Sequence, residues 1–292
     1  MFTRFNVSKE NVGKRTDVFI ASMYPEFTRS SLSALFDKEM VKINGKTAGA
    51  ASKLHSSDKI IIDETLLKQE PPEIELLVMY EDQDVIVINK PAGILTHSKG
   101  ALNTEATVAS FIAPKFNDQN LTGNRAGIVH RLDRATSGVI LTAKNEKALK
   151  WLQKQFSTRK ADKRYVAIVE GLPEPAEAII DAPIERNPKK RQTFRVEVGG
   201  KPSQTKYKLL KVLNKSNNTY SLLELIPQTG RTHQLRVHLK YTGHPIVGDR
   251  IYGHGGEDLY LHASSLELVL PDGRKMKFEA PAPKIFKEFI RS

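Results

Sequence analysis

Hydrophobic and polar positions repeat with two different periods along this chain, and the changes of period mark its elements. Residues 28–45, TRSSLSALFDKEMVKING, open on Thr28 as a helix cap and place Leu32, Leu35 and Phe36 at helical spacing. The pattern then switches to alternation at Val41 and Ile43, and Asn44-Gly45 predicts a tight turn. Lys59-Ile60-Ile61-Ile62-Asp63 reads as a further strand. A small unit of helices and a sheet is therefore expected over residues 1–65. The paired prolines of LLKQEPPEIE predict a linker over 66–75. Downstream, Val85-Ile86-Val87-Ile88 reads as a buried strand, and Asn103-Thr104 as the cap of a helix over roughly 105–113. Gly127-Ile128-Val129 and Val139-Ile140-Leu141 read as two short strands flanking a polar loop. Asn145 predicts a cap for a helix whose Ala148, Leu149, Leu152 and Phe156 share a face. Strands are expected at 166–169, 204–213 and 219–226, then a short helix capped by Thr232 with Leu235 and Leu239 on one side. Strands outnumber helices and no βαβ rhythm appears, so the expected class is α+β, with the larger domain over 76–292.

Charge adds a partner to this picture. The net charge is +12, of which residues 1–70 carry +2 and residues 71–292 carry +10. A basic surface of this size favours polyanions, nucleic acid before anionic membrane. The segment RNPKKRQTFR, residues 186–195, reads as a basic loop or hairpin tip. The absence of cysteine excludes disulfides and thiolate metal sites and fits a reducing compartment. No apolar run reaches the roughly 18–20 residues of a membrane span. The polar opening MFTRFNVSKENVGK lacks the apolar core of a signal peptide. A soluble, cytoplasmic protein is expected. There is no P-loop and no GxGxxG, and His233 and His238 are not at the i, i+4 spacing of a helical zinc pair. No cofactor and no metal are expected.

Three side chains are candidates for chemistry. Asp133 is the sole acid between Asp118 and Glu146, with Arg131 and Arg134 close beside it. Its local sequence fits a surface turn as well as a carboxylate kept ionised by guanidinium for nucleophilic or base catalysis. Arg231 stands just before the short helix. It could pair bidentately with a carboxylate held elsewhere in the fold, or form a structural salt bridge. Tyr165, at a strand entry, fits either a core position or a platform for a nucleobase. His130 and His244 read as structural hydrogen-bonding residues.

Taken in order, NKPAG (89–93), GIVHRLD..TSG (127–138), the KRY.A.V.G stretch ending at Gly171, GRTHQLRVH (230–238), HPIVGDRIYG (244–253) and LHAS (261–264) resemble the RluA-type pseudouridine synthases. The resemblance covers roughly residues 75–292. Residues 12–63 resemble the small alpha-L RNA-binding domain. The resemblance implies a catalytic domain with a mixed, mainly antiparallel sheet flanked by helices, working without cofactor or metal. It implies Asp133 as the catalytic aspartate, Arg231 as its partner, and Tyr165 against the base. An unperturbed phenol has a pKa near 10, which favours stacking over proton removal. Arg131 resembles the arginine that enters the RNA stack when the target nucleotide is extruded, and Arg134 would meet a phosphate or a structural acid. Lys189, Lys190 and Arg191, with Arg29 and Lys46 of the small domain, are the further RNA-binding candidates. VGD.IYG leans toward the synthase D branch. The expected partner is large-subunit (23S-type) ribosomal RNA or a pre-ribosomal particle, approached by a monomer. A transfer RNA synthase, a non-catalytic ribosome-assembly factor and a hydrolase using Asp133 with His130 are the alternatives. Two departures stand out: Ala126 for a usual proline, and Met40 for a usual glycine, where a left-handed helix end would suit methionine poorly.

Overall fold

The computed structural model describes residues 1–98, 104–215 and 217–291. The chain divides into two compact units. The first comprises Met1–Ile74, His97–Phe111 and Thr122–Ala126; the second comprises Glu75–Thr96, Ile112–Leu121 and Gly127–Ser292.

In the first unit the elements are β1 (Phe2–Asn6), α1 (Thr16–Met23), α2 (Arg29–Asp37), β2 (Val41–Ile43), β3 (Lys46–Thr47) and β4 (Lys59–Asp63). The strands pair antiparallel in the order β1-β4-β2-β3. The Thr28 hydroxyl caps α2 by accepting the Ser31 N–H at 3.1 Å. Leu32 and Leu35 are buried against Phe19, Ile20, Val41, Ile60 and Ile62. The turn predicted at Asn44-Gly45 forms, both residues having positive φ. The strain expected at Met40 does not arise. The left-handed residue after α2 is Glu39, with φ of 56°, while the Met40 N–H donates to the Leu35 carbonyl and closes the helix end.

The next elements are β5 (Leu77–Glu81), β6 (Val85–Lys90), α3 (Val108–Ile112), β7 (Ser137–Ala143), α4 (Glu146–Ser157), β8 (Asp162–Glu170), β9 (Glu177–Asp181), β10 (Ile184–Arg186), β11 (Phe194–Val196), β12 (Gln204–Lys215), β13 (Asn218–Pro227), α5 (Gln234–Tyr241), β14 (Leu261–Val269), β15 (Lys275–Glu279) and α6 (Lys284–Arg291). Helix α3 starts later than its sequence predicts. Thr107, whose hydroxyl accepts the Ser110 N–H, caps it, and Asn103 lies outside the described residues. Gly127-Ile128-Val129 is not a strand; Ile128 makes a single bridge to Thr142. Asn145 caps α4 as expected, accepting the Ala148 N–H at 2.8 Å.

A nine-stranded sheet runs β5-β6-β7-β14-β8-β13-β12-β9, with β15 on β14. Among the described residues only the β7–β14 pairing is parallel, so the sheet is mixed and mainly antiparallel. All seven residues of β7 are buried. Val139, Leu141 and Ala143 pack with Ala148 and Leu152 of α4 in one core, and α5 contributes Leu235 and Leu239 to another beneath β8 and β13. Gly138 allows β7 to start against β14. A Cβ there would lie 2.1 Å from the Ala263 carbonyl oxygen, and φ is +116°. This contact brings the loop before β7 to the sheet surface beside Tyr165, which pairs with Ala263 across β8 and β14.

Candidate active site

A cleft of about 510 Å³ opens in the second unit, walled by the Asp133 loop, the C-terminal end of α4, β8 and residues 227–236. The loop is clamped from behind. Lys90 is fully buried at the end of β6 and its ammonium donates to the carbonyls of Pro91, Ile94 and Arg134 at 2.9, 2.8 and 3.3 Å. Gly93 N–H donates to the same Arg134 carbonyl, and the Thr96 hydroxyl bridges the Leu132 carbonyl and N–H. Burial pushes the lysine down to about 7; the charge of Asp133 acts in the opposite direction. Three carbonyl acceptors match the three donors of the protonated form. The NKPAG segment thus seats the loop that carries Asp133. Lys90→Met would leave the Pro91 and Ile94 carbonyls without this donor, the Arg134 carbonyl keeping the Gly93 N–H, and is expected to cost about 3–5 kcal/mol in urea unfolding.

Asp133 is one-fifth exposed, with its carboxylate facing Arg236 Nη1 at 3.6 Å and His233 Nε2 at 3.8 Å. The arginine beside it is therefore not Arg231. Arg236 lies in α5 on the buried side, and Asp249 grips it bidentately at 2.7 and 2.6 Å. Asp249 is fully buried and also accepts the N–H groups of Ile251 and Tyr252. Burial would raise this carboxyl, but the guanidinium and the two amides outweigh it and hold Asp249 below its usual range. One fixed guanidinium thus serves two carboxylates, leaving Nη1 for the cleft. Arg231 lines the same cleft from an exposed loop, and its Nε donates to the Pro202 carbonyl at 3.3 Å. The reason is local. Gln234 Oε1 accepts the Arg231 N–H and the Thr229 hydroxyl, which turns the chain before α5. Thr232 does not cap the helix; the residue before it is His233, held left-handed at φ 58°. For a non-glycine residue that costs about 1–2 kcal/mol.

Tyr165 reaches the cleft from β8. Burial raises its hydroxyl well above the ordinary phenol value, and the charge of Asp133 raises it further. It is a neutral ring beside the carboxylate, suited to face a base and ill suited to take its proton. Arg131 is exposed on the cleft wall, while the Arg134 Nη1 donates to the Gly93 carbonyl. Lys189, Lys190 and Arg191 are exposed at the tip of the β10–β11 hairpin, where Asn187 Oδ1 accepts the N–H groups of Lys189 and Lys190. In the first unit Lys46 is exposed, but Arg29 is engaged with Asp17 at 3.1 Å. Among the described residues no group of three or more histidines and carboxylates is placed to hold a metal ion.

His130 is built as a structural group. Its ring stacks on Phe156 at 4.5 Å, and Nε2 accepts the Leu141 N–H at 3.0 Å. Burial drives its pKa down to about 3. The unfolded chain binds a proton at this ring below about 6.5, and the folded chain does so only near 3. Stability is therefore lost as the pH falls through that window. Unfolding free energies from urea titrations at pH 7 and pH 4.5 should differ by a few kcal/mol, about 1.4 for each pH unit crossed, and His130→Gln should shrink the difference.

Lys90, His233, Arg236, Asp249 and Tyr252 are the site residues that pattern reading missed. A signal was present in the polar residues clustered in GRTHQLRVH and VGD.IYG, but it did not say which of two arginines five apart would face inward.

The mixed sheet thus brings an aspartate, a tyrosine and a buried arginine together on a basic cleft. Residues 84–241 match the family described as RNA pseudouridylate synthase, and the chain belongs to that family. Over 97% of its length it is 38% identical to the ribosomal large subunit pseudouridine synthase D of Borreliella burgdorferi, covering 90% of that protein. It is 33% identical to the synthase of the same name from Escherichia coli, over 97% of this chain and 92% of that one. An uncharacterized RNA pseudouridine synthase of Aquifex aeolicus is 36% identical over 95% of this chain and 93% of the relative. Among solved structures, human RNA pseudouridylate synthase domain containing 1 superposes with a TM-score of 0.60 at 28% identity, covering 74% of this chain and 87% of that one.

Proposed function

We propose that this RNA pseudouridine synthase acts on large-subunit ribosomal RNA with Asp133 as its nucleophile. The observation that carries the catalytic role is the position of the Asp133 carboxylate in the cleft between Arg236 and His233. The substrate class rests on the near full-length similarity to synthase D relatives. Asp133 attacks the anomeric carbon of the target uridine, and the bond from that carbon to the base nitrogen breaks. The base turns, its C5 bonds to the anomeric carbon as the bond from that carbon to Asp133 breaks and frees the carboxylate, and C5 gives up its proton while the detached ring nitrogen takes one up. Bonds and charges balance without an external donor. Arg236, gripped by Asp249, faces the carboxylate before the attack begins and so is a preorganised partner for its charge. Tyr165 supports the base face, with neighbouring aromatic stacking worth about 1–3 kcal/mol. Extruding a nucleotide costs a few kcal/mol, which Arg131 offsets by filling the vacated stack. Lys189, Lys190 and Arg191 contact phosphates and make binding salt-dependent.

The test is to map pseudouridine across ribosomal and transfer RNA in cells lacking the gene, with and without the wild-type gene restored. Sites in large-subunit ribosomal RNA should vanish and return. Return of transfer RNA sites alone would overturn the substrate class, and no responding site at all would overturn the activity.

A further inference from the structure

His233 is surrounded on three sides by groups that fix its ring. The rings of Phe194 and Tyr252 meet it edge-on at 5.7 and 5.6 Å. Its Nδ1 lies 2.8 Å from the Tyr252 hydroxyl, and its Nε2 faces Asp133. The Tyr252 oxygen accepts the Phe194 backbone N–H at 2.9 Å. Phe194 begins β11 of the basic hairpin, and the Arg186 guanidinium lies over its ring at 5.3 Å. A phenol carries one proton. With its oxygen already accepting from Phe194, Tyr252 has its hydroxyl proton to give, and Nδ1 of His233 is the acceptor within reach. That donation would leave the imidazole proton on Nε2, the nitrogen that faces the carboxylate. At 3.8 Å the contact is longer than a hydrogen bond, and a shift of under an ångström closes it.

We propose that His233 is a positioning residue, locked by Tyr252 and the hairpin's Phe194 as the Nε2–H tautomer, whose N–H orients the Asp133 carboxylate for attack. The inference rests on the reading of Asp133 as nucleophile. It explains why a non-glycine residue holds a left-handed backbone at this point: that conformation turns the ring away from the helix axis and into the gap between Tyr252 and Asp133.

The test combines spectroscopy with single-turnover kinetics on the full chain. In uniformly 15N-labelled protein, long-range proton–nitrogen correlation should show His233, assigned through its loss in His233→Asn, as the Nε2–H tautomer at neutral pH. Tyr252→Phe should shift it toward Nδ1–H. An Nδ1–H ring in the wild type overturns the proposal, as does an unchanged tautomer in Tyr252→Phe. Pseudouridine formation is then followed on an unmodified large-subunit ribosomal RNA transcript. Asparagine tolerates the left-handed backbone but is too short to present an N–H to Asp133. His233→Asn should slow the chemical step about 10- to 100-fold while RNA affinity stays within about twofold. His233→Gln places its carboxamide N–H where Nε2 was and should recover most of the rate. Equal rates for wild type and His233→Asn, or a loss in affinity alone, overturn the proposal. If the wild type forms no pseudouridine, or Asp133→Asn retains activity, the nucleophile reading fails and takes this role with it. An active wild type, an inactive Asp133→Asn and an unaffected His233→Asn sink the positioning role alone.

Discussion

Asp133→Asn is expected to lower the single-turnover rate of pseudouridine formation by at least about 10³-fold, the scale seen when a nucleophile is removed. The amide keeps the shape of the side chain but has no charge to form the bond to the sugar. The fold should survive. Asp133 contributes two contacts, at 3.6 and 3.8 Å, from a partly exposed position, and such pairs are worth about 1 kcal/mol or less. Arg236 retains Asp249, so no guanidinium is stranded. A melting temperature within a few degrees of wild type, with RNA affinity retained, would assign the loss to chemistry. A variant that still turns over would show that another group forms the bond.

Asp249→Ala should have the largest effect on stability. It strands the Arg236 guanidinium, which is almost fully buried, and orphans the Ile251 and Tyr252 amides. Breaking a buried pair from one side costs about 3–5 kcal/mol. For a chain of this size that is a fall of roughly 10 °C in melting temperature. Activity should fall further than the unfolded fraction explains, because Arg236 loses the partner that aims Nη1 at Asp133. Arg236→Lys should lose rate as well, since an ammonium cannot grip Asp249 bidentately and still face the cleft. Equal melting curves for wild type and Asp249→Ala would show that the pair does not fix the arginine.

Local signals were legible because local chemistry decides them. Thr28 and Asn145 cap their helices since each side-chain oxygen has an amide within reach three residues on. Asn44-Gly45 turns because both residues tolerate positive φ. Asp133 and Tyr165 meet in one cleft as the motif order implied. The choice between Arg231 and Arg236 was not legible. It depends on where α5 begins, and that is set by Gln234 folding back on Thr229 and Arg231 and by the left-handed His233. Neither feature has a periodic signature. The same holds for Glu39, which takes the left-handed position expected at Met40 because the helix ends one residue earlier. Lys90 was visible only as part of a motif; its burial depends on three carbonyls that the loops bring together.

The placement of β14 bears on how the site comes into being. This strand, Leu261–Val269, lies between β7 and β8, which are neighbours in sequence but not in the sheet. During synthesis the ribosome releases β7 and β8 more than ninety residues before the strand that joins them. Until then both carry open edges, and the aspartate waits for an arginine about a hundred residues further on. Pairings this distant make folding slow. Until β14 has emerged, the loop that carries Asp133 lacks the strand against which β7 starts.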